Sequence, residues 1–426
     1  MTETATMRHC SRPRRIGFHV AFVVALVTIT SGTTCPTSGG VTASGFPKTT
    51  AWTQRTINDS AGVTPNALTI ADFDGDGVTD IAVAYAGLDA APANYVIFFR
   101  ASDNTFTAIP LLGTTASVPV GAAIKAADMN NDARPDLVVA TDQGILYILS
   151  PADPRVGADW QGFIISGSGS DSGIGPWRDV AIGNIDATAG PDIVAAGGTV
   201  GRLCWFRSPS ADTTSGAGWA RIDIDTTTRA QARSVALLDL TGDSRLDIVS
   251  TAPGESTDRV AWYGNPTNPS TDAWPKVAIG NLPAAGRLAV ADLNVDGRED
   301  VIAINRPGRQ VGWYVRPVDP TQAWSGFQIT QYNAATPVDL AVADIDGNSQ
   351  PDLVIATQQP GSLRWFTPVS VQTSVWTENM LRDLNEDVTA IATADFDADG
   401  RPDVTGLLLG ATAAGDSVSW FENPEP

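Results

Sequence analysis

The chain has 426 residues, with 47 acidic against 27 basic side chains and a formal net charge of −20, which disfavours nucleic acid and anionic membrane surfaces as partners. Both histidines, His9 and His19, lie in the first 20 residues, so the commonest general base and the histidine zinc ligand are missing from everything downstream. Three cysteines, Cys10, Cys35 and Cys204, are too few for a disulfide framework.

In chain order, the first segment reads as an export signal. Arg8, Arg12, Arg14 and Arg15 precede an apolar run of 15 residues from Ile16 to Thr30, short for a membrane span and matching a signal h-region. Residues 1–34 are expected to be removed, with cleavage near Gly32 to Thr34, and 35–48 to form a flexible tether. Cys35 is a candidate for lipid anchoring, although Gly32, Thr33 and Thr34 fit a lipobox poorly. The mature chain is expected to be secreted or held at the cell surface or in the periplasm.

The stretch that organises the rest is "DFDGDGVTD", Asp72 to Asp80, with carboxylates at positions one, three, five and nine. Four carboxylates so close repel unless a cation sits among them, and calcium, which takes oxygen ligands from alternate residues of a tight turn, answers that need. Gly77 at position six permits a positive φ. The pattern returns from Asp128, Asn184, Asp239, Asp292, Asp344 and Asp395, at spacings of 56, 56, 55, 53, 52 and 51 residues. Such regular periodicity marks a repeat architecture.

Positions two and ten are apolar in every copy, and short Ile- and Val-rich runs flank each loop, as in "ALTIA" and "DIAVA". Runs of this length are buried strands, so each loop joins two antiparallel strands. An EF-hand would need flanking helices and a glutamate at position twelve; that position holds Val83, Val139, Ala195, Ser250, Ala303, Ile355 and Gly406. Two more strands fill each period, one carrying "WF"-type aromatics such as Trp205, Trp262, Trp313, Trp365 and Trp420, the other opening on an aromatic such as Trp160, Trp219 or Trp274. Four short strands in each of seven repeats predict an all-β, seven-bladed propeller. Because the chain starts with the last strand type, at Trp52, and ends without it after Phe421, the N-terminal strand is expected to complete the last blade and leave no free edge.

These loops resemble the FG-GAP/VCBS family, the integrin-α-like propeller repeat, over residues 49–426. The resemblance implies calcium held by the side chains at positions one, three, five and nine and by the position-seven carbonyl. Carried over, the full sets are Asp72, Asp74, Asp76, Asp80 with the carbonyl of Val78, and Asp395, Asp397, Asp399, Asp403 with that of Arg401. The fifth loop offers Asp292, Asn294, Asp296, Asp300 and the Arg298 carbonyl. The second (Asp128, Asn130, Asp132, Asp136, Arg134 carbonyl) and sixth (Asp344, Asp346, Asn348, Asp352) keep four oxygen donors but lose the position-six glycine. In the fourth, Asp239, Asp243 and Asp247 are joined by the poorer ligand Thr241, and the third (Asn184, Asp186, Thr188, Asp192) departs most. The first, fifth and seventh loops are the best expected calcium sites.

The repeated tryptophans are expected to pack between blades and Cys204 to be a buried thiol. Trp177 has no counterpart in other repeats, and Arg178, Arg233 and Arg287 precede their loops by five or six residues; together they are the candidate ligand site at the channel mouth opposite the calcium loops. No nucleophile constellation, phosphate-cradling loop or zinc spacing occurs, so no catalytic residue is assigned. The expected function is a monomeric, non-catalytic, calcium-binding adhesion or binding module for an extracellular protein or carbohydrate, with no nucleic acid partner and no membrane span; the competing class is a calcium-dependent polysaccharide lyase or hydrolase.

Overall fold

The short apolar runs on either side of each acidic turn pair as antiparallel strands, in the same register in every repeat. The computed structural model describes residues 51–58, 64–86, 95–112, 119–165, 176–188, 190–197, 201–209, 213–225, 231–370, 375–411 and 415–424. The expected signal segment, the tether, Cys35 and the Gly/Ser stretch before Trp177 lie outside these residues.

Strand β1 (Thr53–Asn58) comes first. Blade one is β2 to β5 (Thr64–Ala71, Asp80–Ala86, Tyr95–Arg100, Phe106–Pro110). Blade two is β6 to β9 (Gly121–Ala127, Asp136–Thr141, Ile145–Leu149, Gln161–Ile165). Blade three is β10 to β13 (Trp177–Gly183, Asp192–Gly197, Arg202–Arg207, Ala220–Asp225). Blade four is β14 to β17 (Ser234–Leu238, Asp247–Thr251, Val260–Tyr263, Lys276–Gly280). Blade five is β18 to β21 (Ala285–Ala291, Asp300–Asn305, Gln310–Val315, Ser325–Gln331). Blade six is β22 to β25 (Thr336–Ala343, Asp352–Gln358, Ser362–Ser370, Val375–Asp383). Blade seven is β26 to β28 (Asp387–Ala394, Asp403–Leu409, Ser417–Glu422), and β1 supplies its fourth strand by pairing with β28, Thr53 opposite Glu422. Gly157–Asp159 forms a short helical turn, and no described helix is long and apolar enough to cross a membrane.

First strands touch one another in order around the ring, β2 to β6, β10, β14, β18, β22, β26 and back to β2. The ring is closed, and the first strands surround its axis. Apolar side chains gather in seven clusters, each drawn from two neighbouring blades. The core is therefore a set of interfaces, which explains why second strands such as Asp80–Ala86 are buried on both faces. Trp205, Trp262, Trp313, Trp365 and Trp420 all sit in these interfaces, at most 6% exposed, as expected from their recurrence. Cys204 is buried, with its thiol on the Asp223 carboxylate at 3.1 Å.

Polar stitches join the blades as well. The residue just after a third strand reaches back to the position-two carbonyl of the preceding blade's loop: Asn265 to Ile185 at 2.9 Å, Arg316 to Leu240 at 2.5 Å, Asn423 to Ile345 at 2.9 Å. Each pairs a buried donor with a carbonyl that the tight loop cannot satisfy internally.

Candidate metal loops and an axial arginine cluster

Six of the seven acidic loops are turns wrapped around their own first carboxylate. In the first loop, Asp72 accepts the amide N–H groups of Gly75, Asp76 and Gly77 at 2.7, 3.1 and 2.9 Å. The amides of positions five and six converge in the same way on Asp128, Asp239, Asp292, Asp344 and Asp395. The position-five side chain then accepts the amide of position seven, as from Val78 to Asp76 at 2.8 Å and from Gln350 to Asn348 at 2.7 Å. This winding needs left-handed backbone at positions four and six. Glycine supplies it in the first loop (Gly75, φ 75°; Gly77, φ 84°), but Ala133, Ser244 and Ser349 adopt it at 69°, 68° and 66°, and the β-branched Val295 at 55°. Loss of the position-six glycine therefore leaves the turn intact, at a cost in strain.

The ninth position has a different task. Asp80, Asp136, Asp192, Asp247, Asp300, Asp352 and Asp403 are fully buried. One carboxylate oxygen accepts the position-two amide, for example from Phe73 at 3.0 Å; in blade five the Trp313 indole N–H takes that place at 2.9 Å. The other accepts an amide at or just past the end of the third strand, from Arg100, Ser150, Ser208, Asn265, Arg316 and Asn423 at 2.7 or 2.8 Å. In blade six the corresponding residue is Pro368, which has no N–H, and Oδ1 of Asp352 is left without a well-formed hydrogen bond, the Thr367 hydroxyl being the nearest compensation. Burial raises the pKa of these carboxyls, to about 7 for Asp80, Asp136, Asp300, Asp352 and Asp403 and to about 6 for Asp192 and Asp247.

Three loops bring ligand-type oxygens of three carboxylates within 4.8 Å of one another: Asp72, Asp74 and Asp80; Asp344, Asp346 and Asp352; Asp395, Asp397 and Asp399. All-oxygen donor sets of this kind suit a hard divalent cation, and the unsatisfied Asp352 oxygen makes the sixth loop a better fit than its missing glycine implied. The fifth loop has Asn294 at position three, where these have a carboxylate. Arginines also answer the charge. Arg134, Arg245, Arg298 and Arg401 at position seven each pair with the position-five aspartate of their own loop, and Arg155 reaches from blade two to Asp74. The third loop differs: Asn184 donates to the Thr188 carbonyl at 2.6 Å, and Arg207 holds Asp186 at 2.5 Å.

At the other end of the first strands, Trp177 does not fulfil its expected role. It is 3% exposed and packs edge-to-face on Phe206, ring centroids 5.6 Å apart, in the interface of blades two and three. Strand alternation turns it into that interface, so its ring cannot stack on a ligand. The three arginines lie at the same end of the first strands, near enough for Arg233 to feel the charges of the other two. Arg178 is exposed, and Arg233 and Arg287 are half-buried. The Arg287 guanidinium lies 3.6 Å from Asp179 and 3.7 Å from Asp339. Arg233 is held below the usual arginine range, first by burial and then by the charges of Arg178, Arg306 and Arg287, with Asp179 opposing. Lys125 of blade two acts on Asp339 of blade six.

Arg306, Lys125, Asp179 and Asp339 were not singled out by sequence reasoning, although a signal exists. Five residues before each loop stand Ala67, Ala123, Asp179, Ser234, Arg287, Asp339 and Ala390, so the polar members are confined to blades three to six. These side chains link neighbouring first strands. Asp179 accepts the Ser234 hydroxyl at 2.6 Å and the Val235 amide at 3.2 Å, Ser234 accepts the Leu288 amide at 3.3 Å, and Asp339 accepts the Ile391 amide at 2.9 Å.

A family model described as "FG-GAP-like repeat" matches residues 72–139, 239–303, 292–355 and 344–405, together more than half of the chain. The chain belongs to the FG-GAP-like repeat family. The matched FG-GAP-like segments run from one acidic loop to the second strand of the following blade, so the family unit and the blade are offset by the same register throughout. No curated protein matches the chain. Among solved structures, this FG-GAP-like propeller is similar to a lectin of Agrocybe aegerita that recognises non-reducing terminal N-acetylglucosamine, at 17% identity and TM-score 0.51, over 85% of this chain and 86% of that one. It is also similar to YCF48 from Cyanidioschyzon merolae, at 12% identity and TM-score 0.55, over 88% of this chain and 99% of that one. At such identities these likenesses concern the fold.

Proposed function

We propose that the protein is an exported, calcium-stapled propeller that binds carbohydrate and does no chemistry on it. The observation that carries the binding reading is family membership over more than half of the chain, joined to a fold shared over 85% of the chain with a glycan-recognising lectin. Repetition suits this role, because clefts that recur around a ring let weak sites act together. Calcium is supported by the oxygen-only donor sets of the first, sixth and seventh loops. When bound it would supply charge compensation and nothing more: Asp72, Asp74 and Asp80 in the first loop, Asp344, Asp346 and Asp352 in the sixth, and Asp395, Asp397 and Asp399 in the seventh would hold it. Export rests on the basic and apolar pattern of residues 8–30.

The test is a glycan array probed with the purified chain, with calcium and with a chelator. Binding to one sugar class with no change in the sugar supports the reading. Release of shortened or unsaturated products from a bound polysaccharide would overturn it in favour of a lyase or hydrolase.

A further inference from the structure

The chain carries 47 acidic and 27 basic residues, yet four arginines lie at one end of its axis. Arg178 and Arg287 lie near the starts of β10 and β18, Arg233 just precedes β14, and Arg306 just follows β19, whose last residue Asn305 pairs with Ala285 at the start of β18. All four are thus on the face away from the metal loops. Arg287 is already answered, held between Asp179 and Asp339. Among the described residues the Arg306 guanidinium bonds the neutral Gln358, at 3.1 Å. Arg178 and Arg233 have no carboxylate within ion-pair distance among the described residues, and Arg233 is fixed through its own amide on the Thr251 carbonyl at 2.9 Å. Like charges gathered on a half-buried surface are unfavourable unless an anion joins them. Guanidinium groups are the donors best suited to a planar or tetrahedral oxyanion.

We propose that this axial end is an oxyanion site taking a carboxylate- or sulfate-bearing sugar, with Arg178, Arg233 and Arg306 as its contacts and Arg287, fixed by its two aspartates, as the floor. The sugar half of this statement rests on the carbohydrate reading above; the oxyanion half does not. It assigns the polar positions of blades three to six a common purpose and explains why the ring is asymmetric there and alanine-lined elsewhere.

Titration calorimetry on the full chain with oligogalacturonate, N-acetylglucosamine 6-sulfate, N-acetylglucosamine and inorganic sulfate tests it. An acidic sugar should bind at least tenfold more tightly than the neutral one, and less tightly as salt rises; which acidic sugar is preferred separates carboxylate from sulfate. Arg233→Gln should weaken that binding at least fivefold while Arg233→Lys keeps most of it. Arg178→Gln, at an exposed position, should do the same and carries the test should Arg233→Gln fail to fold. Acidic-sugar binding unchanged in both glutamine variants would overturn the proposal, as would equal binding of the neutral sugar. Binding of both the acidic and the neutral sugar that is indifferent to these arginines would sink the oxyanion site and leave the lectin reading standing. Arginine-dependent binding of inorganic sulfate with no sugar bound would keep the oxyanion site and remove the carbohydrate.

Discussion

Pro368 is a single-residue test of how the acidic loops are held. In six blades, the position-nine carboxylate accepts an amide at or just past the end of the third strand, at 2.7 or 2.8 Å; in blade six that amide does not exist. Pro368→Ala restores it. A hydrogen bond to a charged group contributes about 1.5–3 kcal/mol, and the freer unfolded chain of the alanine variant takes back about 0.4–1 kcal/mol. The net gain is about 1–2 kcal/mol. At ~2.1 cal/mol/K per residue, a chain of this length changes by roughly 0.9 kcal/mol per degree at its midpoint, so the midpoint should rise by about 1–2 °C. The gain should also depend on pH. Asp352 is raised to about 7 by burial, so this group favours the fold below its ordinary value and that contribution is lost as pH rises through about 7. The new amide stabilises the ionised form, lowers that pKa and reduces the loss. Calorimetric scans of both proteins in chelator at pH 5 and pH 8 should show the larger gain at pH 8. A midpoint unchanged or lowered at pH 8 would refute the account of Asp352.

Three further outcomes are expected. Val295→Gly should stabilise the chain by about 1 kcal/mol, because an exposed β-branched residue at φ 55° is relieved of left-handed strain; a lower melting midpoint would contradict this. Removing calcium with a chelator should lower the midpoint, since each site saturated ~100-fold above its Kd contributes about 2.7 kcal/mol, and identical scans with and without calcium would end the staple reading. Trp205→Ala, which empties the interface of blades three and four, should cost about 3–5 kcal/mol, read from the shift in denaturant midpoint; a loss under 1 kcal/mol would mean that the interface collapses around the gap.

The propeller was legible because its signals repeat. A buried position-two residue such as Phe73 or Met129 and a strand-opening Asp80 or Asp136 recur at nearly constant spacing, and seven copies average away the ambiguity of any one. The gathering of Arg178, Arg233 and Arg287 was legible for the same reason, since all precede their loops by a similar distance. What escaped depended on side-chain direction or on contact between blades. Trp177 looked singular in the sequence, but strand alternation turns it into an interface, where it is one more packing aromatic. Arg306 follows a second strand, and only antiparallel pairing brings it to the start of the first. The sixth loop was ranked by its missing glycine, whereas Ser349 accepts the turn and a proline 16 residues beyond Asp352 decides how its carboxylate is satisfied.

The closure of blade seven has a mechanical consequence. Thr53 pairs with Glu422, so the chain enters β1 and leaves β28 at the same end of one antiparallel pair. Tension between the two ends would load the hydrogen bonds of this pair one after another, as in a zipper, and not all together in shear. Trp52, buried just outside β1 in the interface of blades six and seven, with its carbonyl taken by Arg382 at 3.4 Å, lies on the path of that force. The ring is thus fastened by a clasp that yields to pulling at its ends, with a tryptophan as its latch.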